Sequence, residues 1–171
     1  LIAQNIANDK AKVTAPDPNV AIFNFHYASP PATVAMNWEL NRPIAFDETG
    51  FKGTADATYR RQAWEFLLAG GAVFSNLDYS FTPDHPDGSA EVKDPTPGGG
   101  SRELRKQLSI LKHFIESFDF LRMRPDNGLA TLSGGGSAYV LAEPGKQYAV
   151  YVHGASGRTL KLTRPAGHYR H

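Results

Sequence analysis

The sequence predicts an α/β fold in which parallel strands and helices come first and antiparallel strands follow. Apolar strands alternate with helical patterns over residues 1–122, which is typical of parallel strands joined by right-handed crossovers. The segment 20–27 is apolar and aromatic on both faces, as buried parallel strands are. After Pro125, short alternating segments separated by glycine-rich turns replace this pattern.

The first part of the chain contains four predicted strands. We place them at 1–6, at 20–27, in the apolar segment that ends at Glu48, and at 72–81. The sequence begins inside an apolar run without Met and ends without a closing element. We therefore expect a fragment of a longer protein.

Three helices are predicted between and after these strands. The first begins at its N-cap Ser29, where two prolines follow and are tolerated in a first turn. Thr54 or Asp56 is expected to cap the second, which ends at a pair of glycines. Ser101 caps the third, whose leucine stripe predicts a helix over 101–122. The long loop before it, 82–100, has a length usual for functional or disordered segments.

The last part of the chain reads as an antiparallel meander that forms part of a β-sandwich. Its predicted strands are 128–132, 137–143, 147–153 and 159–163. Because the pattern changes between residues 122 and 128, we expect two domains, 1–124 and 125–171.

The composition is that of a folded globular protein, with neither a large net charge nor a long apolar segment. The chain has 171 residues, of which 41% are hydrophobic and 20% charged, and a formal net charge of +1. This balance gives no field that favours nucleic acid or an anionic membrane. The longest apolar run falls short of the roughly 18 residues that span a bilayer. There is no cysteine, which excludes disulfides and thiolate chemistry.

Polar side chains gather where the predicted parallel strands end. Glu48 ends the third strand, and amide, imidazole, carboxylate and phenol groups end the others: Asn5, Asn24, His26, Asn76, Asp78 and Tyr79. Because parallel strands end at one edge, we expect these groups to share a rim. Such a rim is typical of the carboxyl face of a (β/α)8 barrel.

Glu48 is the strongest candidate for chemistry, because an unpaired buried carboxylate is costly. Asp47 precedes it, and strand alternation predicts that the two carboxylates face opposite ways. In the structural alternative, Glu48 caps the following turn or pairs with Arg60 or Arg61. His26 is either a site residue or a hydrogen-bonded core histidine.

A second acidic cluster lies in the long loop. Asp84, His85 and Asp87 could ligate a metal, but Asp, Pro and Gly together favour turns. We therefore predict no metal and no cofactor.

Five segments of the chain carry a resemblance to a known family. They are Asn24-Phe25-His26-Tyr27, Phe46-Asp47-Glu48-Thr49-Gly50-Phe51, Ala63-Trp64-Glu65-Phe66, Gly70-Gly71 and Ser75-Asn76-Leu77-Asp78-Tyr79-Ser80-Phe81. They resemble the C-terminal half of apiosidase-like glycoside hydrolase barrels. The segment from Gly128 resembles the β-sandwich that follows such barrels, often labelled a putative collagen-binding domain.

The resemblance implies an α/β fold made of the C-terminal half of a (β/α)8 TIM barrel and a partial antiparallel β-sandwich. It also implies a secreted or periplasmic retaining glycoside hydrolase that acts on a plant or microbial polysaccharide or glycoside. Glu48 would be the nucleophile that ends the seventh barrel strand, and the acid/base glutamate would precede Leu1. Asp78 is the weaker candidate for that acid.

The expected ligand is a carbohydrate, contacted by side chains along the rim: Asn5, Asn24, His26, Asp78 and Tyr79. The alternative is a carbohydrate- or matrix-binding protein without catalysis. The expected macromolecular partner is either the missing N-terminal half of the barrel or a second copy of the chain. A half-barrel would otherwise expose two open strand edges.

Overall fold

The protein is described by a computed structural model that covers residues 1–6, 12–27, 32–50, 52–154, 157 and 159–170. Within these residues there are nine strands and three α-helices. The strands are β1 Ala3–Ile6, β2 Ile22–His26, β3 Ile44–Glu48, β4 Val73–Phe74, β5 Arg124–Pro125, β6 Ala130–Leu132, β7 Ser137–Glu143, β8 Gln147–His153 and β9 Leu160–Leu162. The helices are α1 Ala32–Asn37, α2 Asp56–Leu68 and α3 Arg102–Glu116. Short 3-10 turns occupy Trp38–Leu40, Phe120–Arg122 and Asn127–Leu129.

The first four strands form one parallel sheet in the order β1-β2-β3-β4. The two central strands are apolar on both faces, and Phe23, Phe25 and Phe46 are buried there. The final strand is short: only Val73 and Phe74 pair with β3. All four strands end at the same edge of the sheet, as the sequence predicts for parallel strands.

The five later strands form two small antiparallel sheets. β7 and β8 make a regular hairpin, and β5 pairs with the other edge of β7. β6 pairs instead with β9. The meander prediction therefore holds for the β7–β8 hairpin, but it is wrong for β6, whose partner is the last strand.

The predicted half-barrel followed by a β-sandwich is wrong. In the described part of the chain the parallel sheet has only four strands and stays open, and the later strands divide into a three-stranded and a two-stranded sheet. The predicted strand 72–81 stops at Phe74, since Asp78 turns the chain by accepting hydrogen bonds from the backbone N and Oγ of Ser80. The fold is a small mixed α/β structure.

Two apolar clusters make up the core. One joins the central strands to α1 and α2; its buried members are Val20, Phe23, Phe25, Val34, Ile44, Phe46, Phe66 and Ala69. The other joins α2 and α3 to β7 and β8; its buried members are Ala63, Leu68, Leu111, Met123, Leu141 and Ala149. Trp64 of α2 stacks on Tyr151 of β8, with ring centroids 5.3 Å apart. The C-terminal hairpin therefore shares its apolar core with α2 and α3, while the division at residues 124 and 125 stays a prediction.

The helix ends follow local chemistry only in part. The Ser101 cap is confirmed: its Oγ accepts the backbone N–H of Leu104 at 2.9 Å. The N-cap of α2 is Ala55, so the prediction of Thr54 or Asp56 is wrong. The predicted cap Ser29 lies outside the described residues. α3 ends at Glu116, before the predicted residue 122.

The helices of the described residues are too short or too polar to cross a membrane.

Candidate functional site

The ends of β1 and β2 bring two amides together at the carboxyl edge of the parallel sheet. Asn5 and Asn24 are register partners. The Nδ2 of Asn24 donates to Oδ1 of Asn5 at 3.1 Å and also lies 3.2 Å from Nε2 of His26. Asn24 is buried. This contact chain leads from the edge strand β1 to His26.

A β-bulge brings both carboxylates of β3 to His26. The register between β2 and β3 pairs Phe25 with Phe46 but His26 with Glu48, so Asp47 is the extra residue. A bulge of this kind bends its strand and changes the direction of the side chains. His26 consequently contacts Glu48 through Nδ1 at 3.0 Å and Asp47 through Nε2 at 3.3 Å. The expectation that Asp47 faces away from the site of Glu48 is wrong.

The two carboxylate oxygens of Glu48 have different partners at the end of β2, His26 and the residue that follows it. Oε2 lies 3.0 Å from Nδ1 of His26. Oε1 accepts a hydrogen bond from the hydroxyl of Tyr27. The Glu48 side chain keeps 29% of its exposure. The carboxylate is therefore held by two donors and still reaches solvent.

Tyr27 is held in an unusual backbone conformation. Its φ is 53°, in the left-handed region that bulky residues rarely occupy. The backbone N–H of Tyr27 donates to the carbonyl of Glu48 at 3.0 Å, which ties the residue to the end of β3. Strain of this kind persists where surrounding contacts enforce it, and it often marks a functional site.

The phenol of Tyr27 is also electrostatically perturbed. Its hydrogen bond to Glu48 raises the pKa of Tyr27 to about 12, and desolvation and the charge of Glu48 act in the same direction. The charge of ionised Tyr79 contributes, as the smallest cause, to the same rise in the pKa of Tyr27. Tyr27 therefore remains a hydrogen-bond donor to Glu48 far into the alkaline range.

The neutral ring of His26 has an assignable proton. Asn24 Nδ2 is a donor only, so Nε2 of His26 accepts and the proton lies on Nδ1, facing Glu48. This assignment comes from the hydrogen-bond network. It makes His26 a hydrogen-bond donor to Glu48, and a role for His26 in the site stays a prediction.

Asp78 makes contacts of a different kind. Its Oδ1 accepts from Ser80, and its Oδ2 accepts from Arg105 at 2.8 Å. Arg105 also donates to the carbonyl of Gly88 at 2.7 Å. These contacts anchor the long loop to α3. A role for Asp78 in substrate binding stays a prediction.

Tyr79 is an exposed aromatic side chain in the long loop. It is 36% exposed, and a Cβ on Gly98 would come within 2.8 Å of its ring, so the loop backbone packs closely on one side of it. Asn76 precedes it in the same loop. Because β4 ends at Phe74, neither residue occupies the strand face on which the sequence places it.

The alternative partners of Glu48 are engaged elsewhere or make no described contact with it. Arg61 lies 4.0 Å from Glu65 and 3.5 Å from His153.

For the described residues, no group of three or more potential ligands is arranged to hold a metal ion. His85 contacts Ser89 at 3.0 Å.

Sequence reasoning missed two residues of the site, Tyr27 and Asp47. Tyr27 follows His26 directly, so its place at the strand end was readable, but its positive φ was not. Asp47 was assigned to the opposite face by regular alternation, and nothing local in the sequence indicates the bulge.

A cavity of about 720 Å³ lies away from this site. It runs between α2, α3 and the edge strand β4, and Leu67, Val73, Leu108 and Ile115 line it. Glu48 is not part of its lining.

Comparisons with protein-family models, with curated proteins and with solved structures found no match to this chain.

Proposed function

We propose that the carboxyl edge of the parallel sheet is part of a site that hydrolyses glycosidic bonds with retention, and that Glu48 is its nucleophile. One observation carries the proposal: a partly exposed carboxylate is held by one donor on each oxygen, His26 and Tyr27. Because Glu48 ends a parallel strand, it lies where α/β sheets place their chemistry.

The two donors suit nucleophilic attack on an anomeric carbon. Attack requires an ionised carboxylate with one oxygen aimed at the sugar. The Tyr27 hydroxyl and His26 Nδ1 orient the group and stabilise its charge before attack. One oxygen of Glu48 bonds to the anomeric carbon while the bond from that carbon to the leaving oxygen breaks, and the second carboxyl group of the retaining mechanism protonates the leaving oxygen. The other oxygen of Glu48 keeps its own donor. Water then gives a proton to that second group, attacks the anomeric carbon and breaks the ester bond, which releases Glu48 as a carboxylate.

A sugar ring has suitable contacts near Glu48. The Tyr79 ring is exposed and interacts electrostatically with Tyr27, and aromatic rings suit the apolar faces of sugars. Asn5 is exposed at the same edge and already accepts from Asn24. We therefore propose a glycoside or polysaccharide as the ligand.

A second candidate function is carbohydrate binding without hydrolysis. Retaining hydrolysis needs a second carboxyl group roughly 5–5.5 Å from the nucleophile. Both oxygens of Asp78 are occupied by Ser80 and Arg105, which disfavours Asp78 as that acid. A chain that binds sugars but leaves them intact agrees with this observation.

The test compares the wild type with Glu48→Gln on aryl glycosides and plant and microbial polysaccharides, alongside glycan-array binding. We expect Glu48→Gln to abolish turnover while sugar binding survives. Glu91→Gln is the matched control, since Glu91 is 78% exposed and pairs with Lys93. Binding without hydrolysis by the wild type would favour the second candidate. Undiminished turnover by Glu48→Gln would contradict the nucleophile assignment.

A further inference from the structure

Asp47 leaves a buried acceptor atom facing His26. Its Oδ1 is buried and has no hydrogen-bond partner in the described part of the chain, although the side chain as a whole is 42% exposed. The atom nearest to it on His26 is Nε2, at 3.3 Å. An orphaned buried acceptor is costly and calls for an explanation.

The contacts of His26 depend on how many protons its ring carries. With one proton, Nδ1–H donates to Glu48 and Nε2 accepts from Asn24. With two protons, Nε2–H needs an acceptor, and the Asn24 amide hydrogens would then oppose it. Oδ1 of Asp47, 3.3 Å from Nε2, is an acceptor within reach. The orphaned oxygen thus has a partner in the second state.

We propose that Asp47 is a positioning residue for Glu48 that acts through His26. It accepts the second ring proton at Nε2, so His26 keeps its Nδ1–H bond to Glu48 in both protonation states. The ring need not turn when it gains a proton, and Glu48 keeps its orientation.

The surroundings of His26 support this role. Among the described residues, the charged groups that face the ring are Asp47 and Glu48 of β3, and Tyr27, directly after β2, contributes its phenol to Glu48. The neighbouring strand β1 contributes the neutral amide of Asn5, through Asn24. The bulge is what places the two carboxylates on one ring.

The experiment follows the His26 ring by nitrogen-detected NMR in neutral and in acidic buffer. The wild type should show the Nδ1–H signal, hydrogen-bonded to Glu48, under both conditions. Asp47→Ala should keep this signal when the ring carries one proton and lose it when the ring carries two. Asp47→Glu restores a carboxylate and should recover part of the signal. Asp84→Ala removes an exposed loop acid and serves as the control.

The kinetic part of the experiment rests on the proposed function. For aryl glycosides, the ratio of kcat for Asp47→Ala to kcat for the wild type should be on the order of 10-fold lower in acidic than in neutral buffer, with KM nearly unchanged. A merely structural role would lower activity equally at both pH values, and that result would overturn the inference.

The two proposals fail in distinguishable ways. If the wild type hydrolyses no glycoside, the proposed function is wrong, and the NMR signal still tests Asp47. If Asp47→Ala keeps the Nδ1–H signal in acid, the inference about Asp47 is wrong, whatever the activity of the wild type.

Discussion

Replacing Tyr27 by Phe removes the hydroxyl that donates to Oε1 of Glu48 while keeping the ring. The structure gives the size of the electrostatic effect. In the folded protein the pKa of Tyr27 is raised from 10.0 to about 12, and the hydrogen bond to Glu48 is the largest cause. The protein has seven tyrosines, and burial also raises the pKa of Tyr59, Tyr139 and Tyr151. The assay must therefore isolate one phenol from several.

The assay is a difference titration of tyrosinate absorbance, wild type minus Tyr27→Phe. Subtraction removes the phenols that the two proteins share. We expect the remaining curve to describe one group with a midpoint at about pH 12. A midpoint near pH 10, the ordinary value for tyrosine, would refute the reasoning, because it would mean that Glu48 does not hold the phenol.

The same shift predicts a pH dependence of stability. The folded pKa lies above the unfolded value, so the neutral phenol is the form that folding favours. Its contribution is fully present below pH 10 and is lost as the pH rises from 10 to about 12. In urea titrations, the stability difference between wild type and Tyr27→Phe should therefore shrink over this window. A difference that stays constant from neutral pH to pH 12 would contradict the linkage.

Two further substitutions test the elements that position the loop beside the site. Ser101→Ala removes a cap that accepts from Leu104 and donates to Asp56 at 2.5 Å, and should lower the free energy of unfolding by about 1–2 kcal/mol in urea titrations. Gly100→Ala places a Cβ 2.0 Å from Oδ1 of Asp78 at a φ of +139°, and should cost about 1–3 kcal/mol, seen as a lower thermal midpoint.

Matched controls separate these mechanisms from general effects. Ser109→Ala removes an exposed hydroxyl from the middle of α3 and should leave stability within about 0.5 kcal/mol of the wild type. Gly53 has a φ of +81°, and no atom lies within 4 Å of the Cβ that Gly53→Ala adds. The stability lost by this variant therefore measures backbone strain alone. If Gly100→Ala costs no more than Gly53→Ala, the collision with Asp78 is not the cause.

Local patterns predicted several elements correctly. The hairpin strands 137–143 and 147–153 match β7 and β8 at both ends, because β-branched and aromatic residues and the Pro-Gly-Lys turn between the strands are local signals. Ser101 was recognised as a cap for the same reason, since an N-cap depends on residues within one turn. The predicted meeting of Asn5, Asn24, His26 and Glu48 also holds, because parallel strands in sequence order end at one edge.

Other features depended on distant contacts. The strand 72–81 looked continuous, but Asp78 binds Ser80 and, from α3, Arg105, which holds the segment in a loop. The partner of β6 is β9, which is distant in the sequence. Local sequence patterns indicate a strand but do not specify which other strand it pairs with. The half-barrel rested on family resemblance and on strands counted from pattern, and the open sheet overturned it.

The sequence by itself determined that Glu48 ends a buried parallel strand beside His26, because apolar periodicity and strand order are properties of the chain. Only the tertiary structure decided how that carboxylate is held. The bulge in β3 turns Asp47 towards His26, and the positive φ of Tyr27 accompanies the bond of its hydroxyl to Glu48. Both are local departures from regular strand geometry, enforced by hydrogen bonds between β2 and β3, and no periodic pattern along one strand records a bond made to another.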